Sequence, residues 1–542
     1  MNVIYQQWLS SPKLTLSEKQ GIRKLSSAEI SIYFANAQMS FGTAGVRGRM
    51  GMGTMRMNRF TYTNLAQAYA QYIVQTYGKN KTVVIGHDNR LNSDQFGMLT
   101  AKVLSSFGIK VLLFVKNQLM PTPIVSYAIR RTNSVGGLII TASHNPKEYN
   151  GFKAYHNDGG QVLPNVAKAI EKQLIKPTEI LKYTYRSQPQ LIKYLNDDIV
   201  NHYFKDAQCV LINKEQWAKK KLAPVVLTAH HGTACKLLPR FLKQLGFNIK
   251  PVQAQMFYSP TFVNSPIANP EDIKSFALSI KQAEQIKSNI CIGVDPDADR
   301  MAVCIKHHNQ WRLITGNEMG IIYTHYVLKH KQFSKPPYII SSYVSTNLID
   351  RIAASYKAKV YRTGTGFKWM GAKVTAIGDK ASLVVAFEEA IGALNTTINR
   401  DKDSFTASAL ALEIYHFYQA RNMDLVDILT QEIYPIYGQW FGKTTAYTFD
   451  VLNWKPLVES KMNMLKHHHA KTIGNWKIKK IAWNKCGDCL EWHLVNDSWI
   501  KFRLSGTEPK LKIYYNLYGE SQNELINQYN ELDKIFQKIL GV

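Results

Sequence analysis

Short runs of apolar residues alternate with stretches of helical pattern along most of this chain. Residues 61–77 show the helical pattern, and the runs at 82–86, 111–115 and 138–140 are typical of buried strands. The run at 138–140 stops abruptly at Thr141, where small and polar residues begin. Strands that alternate with helices predict an α/β fold, in which the loops at the carboxyl ends of the strands commonly hold ligands.

A chain of 542 residues is too long for a single hydrophobic core, and its pattern divides it into four units. The second unit begins near residue 196 and contains the apolar runs 224–228 and 289–294. The third begins near 307, and turn residues at 434–438 set off the last one. The predicted units are 1–195, 196–306, 307–435 and 436–542.

The first candidate for chemistry is Ser143, which lies in the stretch 141–146 (TASHNP). It closely follows an apolar run, and the pair Asn145-Pro146 is a turn signal. A serine on a loop after a buried strand can act as a nucleophile, although a lone serine there more often forms a turn. The functional interpretation therefore depends on the other stretches described below.

Three carboxylates, Asp295, Asp297 and Asp299, alternate along a loop that follows another buried strand. Their mutual repulsion makes such a group costly unless a cation neutralises it, and an all-oxygen ligand set suits Mg²⁺. An EF-hand loop would need Gly and Glu where this chain has Arg300 and Lys306, which excludes that kind of calcium site. A solvated acidic turn remains the alternative interpretation.

Two later loops also carry groups suited to sugars and phosphates. Glu388 and Glu389 follow an apolar run, where they can bind sugar hydroxyls, act as an acid and base pair, or cap a helix. The Gly-rich stretch 363–370 carries Lys368 but lacks the spacing of a P-loop. The stretch 503–509 (RLSGTEP) offers an arginine, two hydroxyls and a glycine, which together can hold a phosphate dianion.

The overall charge is strongly basic. Apolar residues make up 45% of the chain and charged residues 20%, which is the composition of a globular protein. The formal net charge is +28, but lysine and arginine are spread along the chain without a zinc-finger, RNA-recognition or helix-turn-helix signature. A basic surface that attracts anionic substrates explains this charge better than nucleic-acid binding does.

The chain carries no signal for membranes, secretion or disulfides. No apolar run is long enough to cross a membrane and the N-terminus lacks the apolar segment of a signal peptide, so we expect a cytoplasmic protein. The six cysteines do not form the pattern of a disulfide framework. Cys486 and Cys489 have the spacing of half a zinc site, but no second pair lies near them.

Together, the stretches 141–146, 295–300, 388–392 and 503–509 resemble the α-D-phosphohexomutase family, which includes phosphoglucomutases and phosphomannomutases. Each alone could arise by chance, whereas all four in the family's order are specific. The resemblance covers nearly the whole chain and implies four domains around a central cleft, three α/β and a smaller α+β domain at the C-terminus. It implies an isomerase of carbohydrate metabolism that interconverts hexose 1-phosphate and hexose 6-phosphate through a phosphoserine enzyme and a bisphosphate sugar.

The resemblance also implies a role for individual residues, and a hexose bisphosphate as activator. The implied ligands of one Mg²⁺ per subunit are Ser143, which would also carry the phosphate, and Asp295, Asp297 and Asp299. The implied catalytic set is Ser143, His144, Lys153, Arg47 and Arg300. The residues implied in substrate binding are Lys368, Glu388, Ala390, Arg503, Ser505, Gly506 and Thr507.

The sugar itself stays open at this point. Ala390 departs from many relatives, which carry serine there, and the stretches 365–369 (TGFKW) and 387–392 (FEEAIG) are more similar to the branch containing phosphopentomutase and glucose-1,6-bisphosphate synthase. Phosphopentomutase is therefore an alternative, and a nucleic-acid-binding protein a remote one. A serine hydrolase would need a nucleophile elbow that the residues around Ser143 lack. We expect sugar phosphates as partners, rather than nucleic acid or a membrane, and a monomer or dimer.

Overall fold

The structure is a computed structural model. It describes residues 2–42, 45–115, 118–217, 221–449, 454–468, 471–485, 487–504 and 510–541. Within these ranges the chain forms four β-sheets in sequence order, and helices accompany each of them. This arrangement confirms the predicted fold class of three α/β units followed by an α+β unit.

Three short helices precede the first strand, namely α1 (Val3–Ser10), α2 (Leu16–Arg23) and α3 (Ser27–Tyr33). Thr15 and Ser26 begin the second and third of these helices, each in a reciprocal capping box with a glutamate. Trp8 packs edge to face against Phe34 in the small core that the helices share. The N-terminal segment is thus a helical layer with its own apolar core.

The first unit is built around a mixed sheet. Its elements are β1 (Gly45–Arg49), α4 (Arg59–Tyr77), β2 (Thr82–His87), α5 (Ser93–Ser106), β3 (Lys110–Phe114), α6 (Thr122–Arg131), β4 (Gly136–Ile140), β5 (Tyr149–His156), α7 (Pro164–Glu171) and β6 (Ile192–Leu195). The strand order is β1-β5-β4-β2-β3-β6, with β1 and β5 running antiparallel to their neighbours. β4 is buried along its whole length and ends just before the Ser143 loop.

The second unit continues with α8 (Asp198–Ala207), α9 (Lys214–Trp217), β7 (Val225–Thr228), α10 (Ala234–Leu245), β8 (Ile249–Pro251), α11 (Ala277–Gln285), β9 (Ile290–Val294), β10 (Met301–His307) and β11 (Gln310–Ile314). The strand order is β11-β10-β9-β7-β8. This sheet continues to Ile314, beyond the predicted boundary at 306, because β10 and β11 form an antiparallel hairpin on its edge. β9 ends directly before Asp295.

The third unit contains α12 (Gly316–His330), β12 (Pro337–Ser342), α13 (Leu348–Ser355), β13 (Lys359–Thr363), α14 (Phe367–Ile377), β14 (Ser382–Phe387), β15 (Ala393–Leu394), α15 (Ser404–Gln419), α16 (Leu425–Asp427) and α17 (Tyr434–Tyr437). Its strand order is β13-β12-β14-β15, and β15 is antiparallel to β14. β14 ends directly before Glu388.

The fourth unit contains β16 (Gln439–Thr448), α18 (Trp454–Lys466), β17 (Thr472–Ile473), β18 (Trp476–Trp483), β19 (Leu490–Leu494), β20 (Trp499–Leu504), β21 (Lys510–Gly519) and α19 (Gln522–Leu540). The strands pair antiparallel in the order β16-β21-β20-β19-β18-β17. One sheet face packs on the two helices, as the apolar cluster of Trp492, Phe502 and Phe536 shows.

The apolar cores indicate how the units are joined. One cluster of buried side chains runs through the first three units, including Val84, Leu227 and Val385, and extends to Trp440 and Tyr518 of the fourth unit, which also has a core of its own. The first three units are therefore packed together. Among the described residues, no helix is long and apolar enough to span a membrane.

Candidate active site

Ser143 lies on the loop between β4 and β5 in a left-handed backbone conformation, with a φ of 52°. Its amide donates to Thr141 Oγ1 at 2.9 Å, and its hydroxyl donates to Asp295 Oδ2 at 2.8 Å. Only 1% of the residue is exposed. Non-glycine residues in this conformation concentrate at functional sites, and here the loop directs the hydroxyl at the aspartates of the second unit.

Asp295, Asp297 and Asp299 are buried, and one carboxylate oxygen of each lies within 4.8 Å of the others. Burial, together with repulsion by Asp297 and Asp299, raises the pKa of Asp295 well above its ordinary value. The Oδ1 atoms of Asp297 and Asp299 have no hydrogen-bond partner among the described residues. Buried carboxylate oxygens without partners fit a divalent cation that prefers oxygen ligands, so these aspartates could hold a metal ion such as Mg²⁺.

Two lysines from other units neutralise the aspartates. Lys153 on β5 donates to Asp297 at 2.6 Å and to Asp299 at 3.1 Å, and Lys402 of the third unit lies 3.1 Å from Asp299. Burial opposes protonation of Lys153, but the two aspartates hold the pKa of its amine above the ordinary value. Burial likewise opposes ionisation of Asp299, yet Lys153 and Lys402 hold its pKa below the ordinary value. Lys153 is therefore an ammonium group that can donate a proton.

His144 Nδ1 lies 3.2 Å from Ser143 Oγ. Burial lowers the pKa of His144 well below its ordinary value, and the nearby cations Arg300 and Arg47 lower it further. The imidazole is thus neutral near neutral pH and can accept the proton of Ser143. Arg47 on β1 donates to Asn145 Oδ1 at 3.1 Å, so its guanidinium lies beside the serine loop.

Arg300 follows the aspartates and turns toward a second loop of the same unit. Its Nη1 donates to Glu271 Oε2 at 3.3 Å, and its Nε lies 3.9 Å from Asp299 Oδ1. Burial opposes the charge of Arg300, but Glu271 and Asp299 raise the pKa of the guanidinium. The site therefore keeps a permanent cation beside the aspartate loop.

The loop after β14 carries Glu388 and Glu389, and no helix begins there among the described residues. The helix-cap interpretation of these glutamates is wrong, because the chain turns back as the antiparallel strand β15. Glu388 Oε1 accepts the amide hydrogen of Gly366 at 2.8 Å, which joins this loop to the Gly-rich loop. Burial raises the pKa of Glu388, against the opposing effect of Lys402.

The other groups implied in substrate binding come from the third and fourth units. Lys368 is buried in the first turn of α14, and both burial and the neighbouring Arg503 lower the pKa of its amine. Arg503 lies near the end of β20 with 25% of its side chain exposed, and Ala390 is half-buried on the glutamate loop. Four residues named above lie outside the described ranges, namely Ser505, Gly506, Thr507 and Cys486.

Backbone contacts from two units hold the aspartate loop in place. The amide of Thr122 donates to the carbonyl of Asp297 at 2.9 Å, and that of Thr233 to the carbonyl of Pro296 at 2.7 Å. A Cβ atom on Gly232 would lie 2.4 Å from both Cα and O of Pro296, far inside van der Waals contact. Only glycine permits this close approach of two backbones.

Comparison with known proteins identifies the architecture. Family models of phosphoglucomutase/phosphomannomutase alpha/beta/alpha domains I, II and III match residues 38–180, 201–309 and 315–435. A phosphomannomutase of Mycoplasmoides pirum is 44% identical, and the match covers 100% of each chain. The chain belongs to the phosphoglucomutase/phosphomannomutase family.

Other members of this α-D-phosphohexomutase family are more distant. A Staphylococcus aureus phosphoglucomutase is 29% identical over 92% of each chain. The open form of parafusin, a Paramecium phosphoglucomutase, superposes with a TM-score of 0.71 at 19% identity, over 93% of this chain and 97% of that one. At 19% identity the superposition shows a common fold and nothing more about function.

Two side chains of this phosphohexomutase site were missed by the sequence analysis. Lys402 lies in a charged run directly before the apolar helix α15. This position is a usable signal, because charged residues next to a buried helix are themselves often buried and then need a partner of opposite charge, here Asp299. Glu271 gives no comparable signal. Its contact with Arg300 joins residues 29 positions apart and depends on how the intervening loop folds.

Proposed function

We propose that this protein is a phosphosugar mutase that interconverts hexose 1-phosphate and hexose 6-phosphate, with the transferred phosphate carried on Ser143. The observation that supports this most directly is the hydrogen bond of 2.8 Å from Ser143 to Asp295, within a buried group of three aspartates. The three carboxylates that face the serine hydroxyl would repel an anionic substrate. A bound cation removes that repulsion, which is the arrangement that phosphoryl transfer requires.

The chemistry consists of two reciprocal transfers. In the first, a sugar hydroxyl attacks the phosphoserine, so that its O–P bond forms while the bond from phosphorus to Ser143 Oγ breaks. The sugar then carries two phosphates and reorients in the active site, so that its other phosphate faces Ser143. In the second, Ser143 Oγ attacks the other phosphate, its proton passes to His144, and the sugar oxygen that leaves takes a proton from the Lys153 ammonium. The first transfer moves both protons in the reverse direction.

Mg²⁺ at Asp295, Asp297 and Asp299 would neutralise the charge that spreads over the phosphoryl oxygens during each transfer. The aspartates fit this ion because the Oδ1 atoms of Asp297 and Asp299 have no hydrogen-bond partner among the described residues. Arg300 and Arg47 add fixed positive charge on either side of the serine loop. A hexose 1,6-bisphosphate would serve as the activator, because it can phosphorylate Ser143 from either end.

The substrate would be held by the third and fourth units. Glu388 and Glu389 follow β14 and can accept hydrogen bonds from sugar hydroxyls, while Lys368 and Arg503 can bind the phosphate that is not transferred. The relative at 44% identity is named phosphomannomutase, and the one at 29% is named phosphoglucomutase. We infer that mannose and glucose phosphates are both substrates, with mannose phosphate preferred.

The test compares mannose 1-phosphate, glucose 1-phosphate and ribose 1-phosphate in parallel, with Mg²⁺ and a trace of the matching bisphosphate. Ser143→Ala should abolish turnover of every sugar, and incubation with the bisphosphate should add one phosphoryl group to the wild type but none to the variant. The melting temperature serves as the control, because deletion of one hydroxyl should leave the fold intact.

The outcomes of these assays decide between the hexose phosphate mutase and the alternative hypotheses. Turnover of hexose phosphates that Ser143→Ala abolishes supports the proposal, and the ranking of sugars gives the specificity. A clear preference for ribose 1-phosphate would replace it with phosphopentomutase. Absence of turnover in the wild type, or full activity of Ser143→Ala, would overturn it.

A further inference from the structure

Arg90 is a buried arginine that no step of the proposed reaction uses. It follows β2 on a short turn, and its side chain has no solvent exposure. A buried guanidinium needs acceptors for its five N–H groups, because an unsatisfied charge is costly in the interior. The acceptors of its hydrogen bonds all belong to the serine loop, while its Nε forms an ion pair with Asp88 of the turn that carries Arg90 itself.

The guanidinium binds the backbone of the serine loop at four points. Nη2 donates to the carbonyl oxygens of Ser143 at 2.6 Å and Asn145 at 2.5 Å. Nη1 donates to those of Pro146 at 2.8 Å and Tyr149 at 2.9 Å. These carbonyls cover the loop from the nucleophile to the start of β5. A planar fork of fixed donors can reach all four at once, whereas a lysine ammonium has only three N–H groups and no fixed plane.

Arg90 is itself held rigidly. Asp88 lies 3.2 Å from its Nε and accepts its backbone amide hydrogen at 2.9 Å, and Ser93 donates to the same aspartate at 2.7 Å. The ring of Phe262, from the second unit, lies 5.2 Å from the guanidinium carbon. The arginine therefore links the serine loop to the turn after β2 and to Phe262 of the second unit, and these contacts fix the position of the loop.

The serine loop needs such support because its central residue adopts an unfavourable conformation. Ser143 has a φ of 52°, and its hydroxyl must still point at Asp295. We propose that Arg90 is a positioning residue that holds the carbonyls of the serine loop, keeps Ser143 in its left-handed conformation and so aims Oγ at the phosphoryl group. This inference rests on the proposed function only for its kinetic consequence. The clamp, meaning the four hydrogen bonds from Arg90 to the backbone of the serine loop, concerns the conformation of that loop alone.

The experiment compares Arg90→Lys with Arg130→Lys in the full-length protein. Arg130 is a matched control, because its guanidinium also donates to backbone carbonyls, those of Ile398 and Asp158, away from the serine loop. Hydrogen exchange of the amides in 141–150, kcat, KM and the melting temperature are measured for each. The activity substrate is the hexose 1-phosphate that the wild type turns over.

Arg90→Lys should speed exchange in 141–150 and lower kcat by about 100-fold, the loss typical of a nucleophile misplaced by roughly 1 Å. KM should stay within about threefold, because Arg90 does not touch the substrate. Added guanidinium ion should restore part of the activity of Arg90→Ala, which a general loss of stability would not allow. Arg130→Lys should change neither the exchange of 141–150 nor kcat.

The outcomes separate this inference from the proposed function. If the wild type turns over no sugar phosphate, the proposed function fails and the exchange experiment still decides whether the clamp exists. Normal exchange and normal kcat in Arg90→Lys overturn the inference while the mutase stands. If Arg90→Lys does not fold, Asp88→Asn decides, because it keeps the amide and serine hydrogen bonds but removes the charge beside Nε. A kcat reduced at constant KM then supports the clamp, and a wild-type kcat overturns it.

Discussion

Ser143 and the three aspartates are each unfavourable when taken alone. A left-handed conformation costs a non-glycine residue roughly 1–2 kcal/mol, and buried carboxylates that face one another are costly to ionise. The structure tolerates both because cations surround the group. Lys153, Lys402 and Arg300 approach Asp299 from three different units, and the hydroxyl of Ser143 donates to Asp295. Local strain and charge are thus maintained by the rest of the fold.

Mg²⁺ should raise the melting temperature of the protein. A ligand that binds only the folded state at about 100 times its Kd stabilises it by about 2.7 kcal/mol. Asp297→Asn removes one carboxylate charge from the group, so it should lose most of this Mg²⁺-dependent shift and lower turnover on the order of 100-fold or more. Thermal unfolding with and without Mg²⁺, and turnover assays, measure the two effects.

The control for this prediction is Asp424→Asn. Asp424 lies in another group of possible metal ligands, with His307 and Asp427, and also caps α16, so the variant loses a charge beside His307 but keeps a good N-cap. Its Mg²⁺-dependent shift should nevertheless equal that of the wild type. An unchanged shift in Asp297→Asn, or a shift lost equally in both variants, would contradict the assignment of the ion to the Asp295 loop.

At the scale of elements, the site consists of loops at the ends of buried strands. β4 leads to Ser143, β9 to Asp295 and β14 to Glu388. These three strands are all buried and mostly apolar, so their sequences do not distinguish one from another. The loops, in contrast, need close backbone contacts to keep their shape. The approach of Gly232, after β7, to Pro296 is the closest of these contacts at the aspartate loop.

Gly232→Ala should destabilise the protein by about 1–3 kcal/mol, the usual cost of overpacking, because its Cβ would lie 2.4 Å from Pro296 backbone atoms. The aspartate loop must shift to admit it, so turnover should fall as well. Gly21→Ala is the matched control. Nothing lies within 4 Å of its Cβ position on α2, and alanine there should raise stability by up to about 1 kcal/mol. Urea unfolding measures both, and equal stabilities for the two variants would contradict the prediction.

His416 on α15 should make stability depend on pH. It is buried against Trp217 and Phe247, its Nε2 has no hydrogen-bond partner among the described residues, and burial lowers its pKa to about 4. As the pH falls below 6.5 the unfolded chain binds a proton here while the folded chain does not, so stability is lost toward pH 4. His416→Phe should remove this contribution. The free energy of unfolding of the variant, relative to that of the wild type, should therefore rise by up to about 1.4 kcal/mol for each pH unit between pH 6.5 and about 4.

Urea unfolding at several pH values measures this difference, and other titrating groups cancel because both proteins contain them. A constant difference for His416→Phe would show that the buried imidazole is already protonated in the folded state.

At the scale of the whole molecule, the fourth unit is joined to the third by both apolar and polar contacts. Trp440 and Tyr518 belong to the large apolar cluster of the first three units, and Val344 packs with Trp499 and Tyr514. Lys501 Nζ donates to the carbonyl of Tyr343 at 2.6 Å, and Asn347 and Asn516 exchange a side-chain hydrogen bond of 2.7 Å. Arg503 thus belongs to the fourth unit, while the other cations of the site lie on the first three units. The net charge of +28 is a property of all four units together.

The KM for hexose phosphate should rise several-fold when the salt concentration increases from about 0.1 M to about 1 M, with little change in kcat. The reason is that the screening length shortens from about 10 Å to about 3 Å, which weakens the attraction of a dianion by a basic surface. Sodium chloride and potassium acetate should act alike, and sucrose of equal osmolality should have no effect. A KM independent of salt would show that the charge plays no part in substrate capture.

Much of this protein follows from local sequence patterns. Apolar runs that alternate with helical stretches determine an α/β fold, because strands and helices each impose their own period on buried positions. The spacing of Asp295, Asp297 and Asp299 predicts a cation site, since charges at alternate positions after a buried strand need neutralising. The order of four such loops was specific enough to indicate the family before any contact was known.

The partners of these loops were decided only by the tertiary structure. The contacts of Lys402 with Asp299, Glu271 with Arg300, and Arg90 with the serine loop join residues of different elements. The hairpin up to Ile314 joined the second sheet although its sequence suits either neighbouring unit. A local pattern records which residues are buried, but the contact between two distant segments depends on how whole sheets pack, and that leaves no period along the chain.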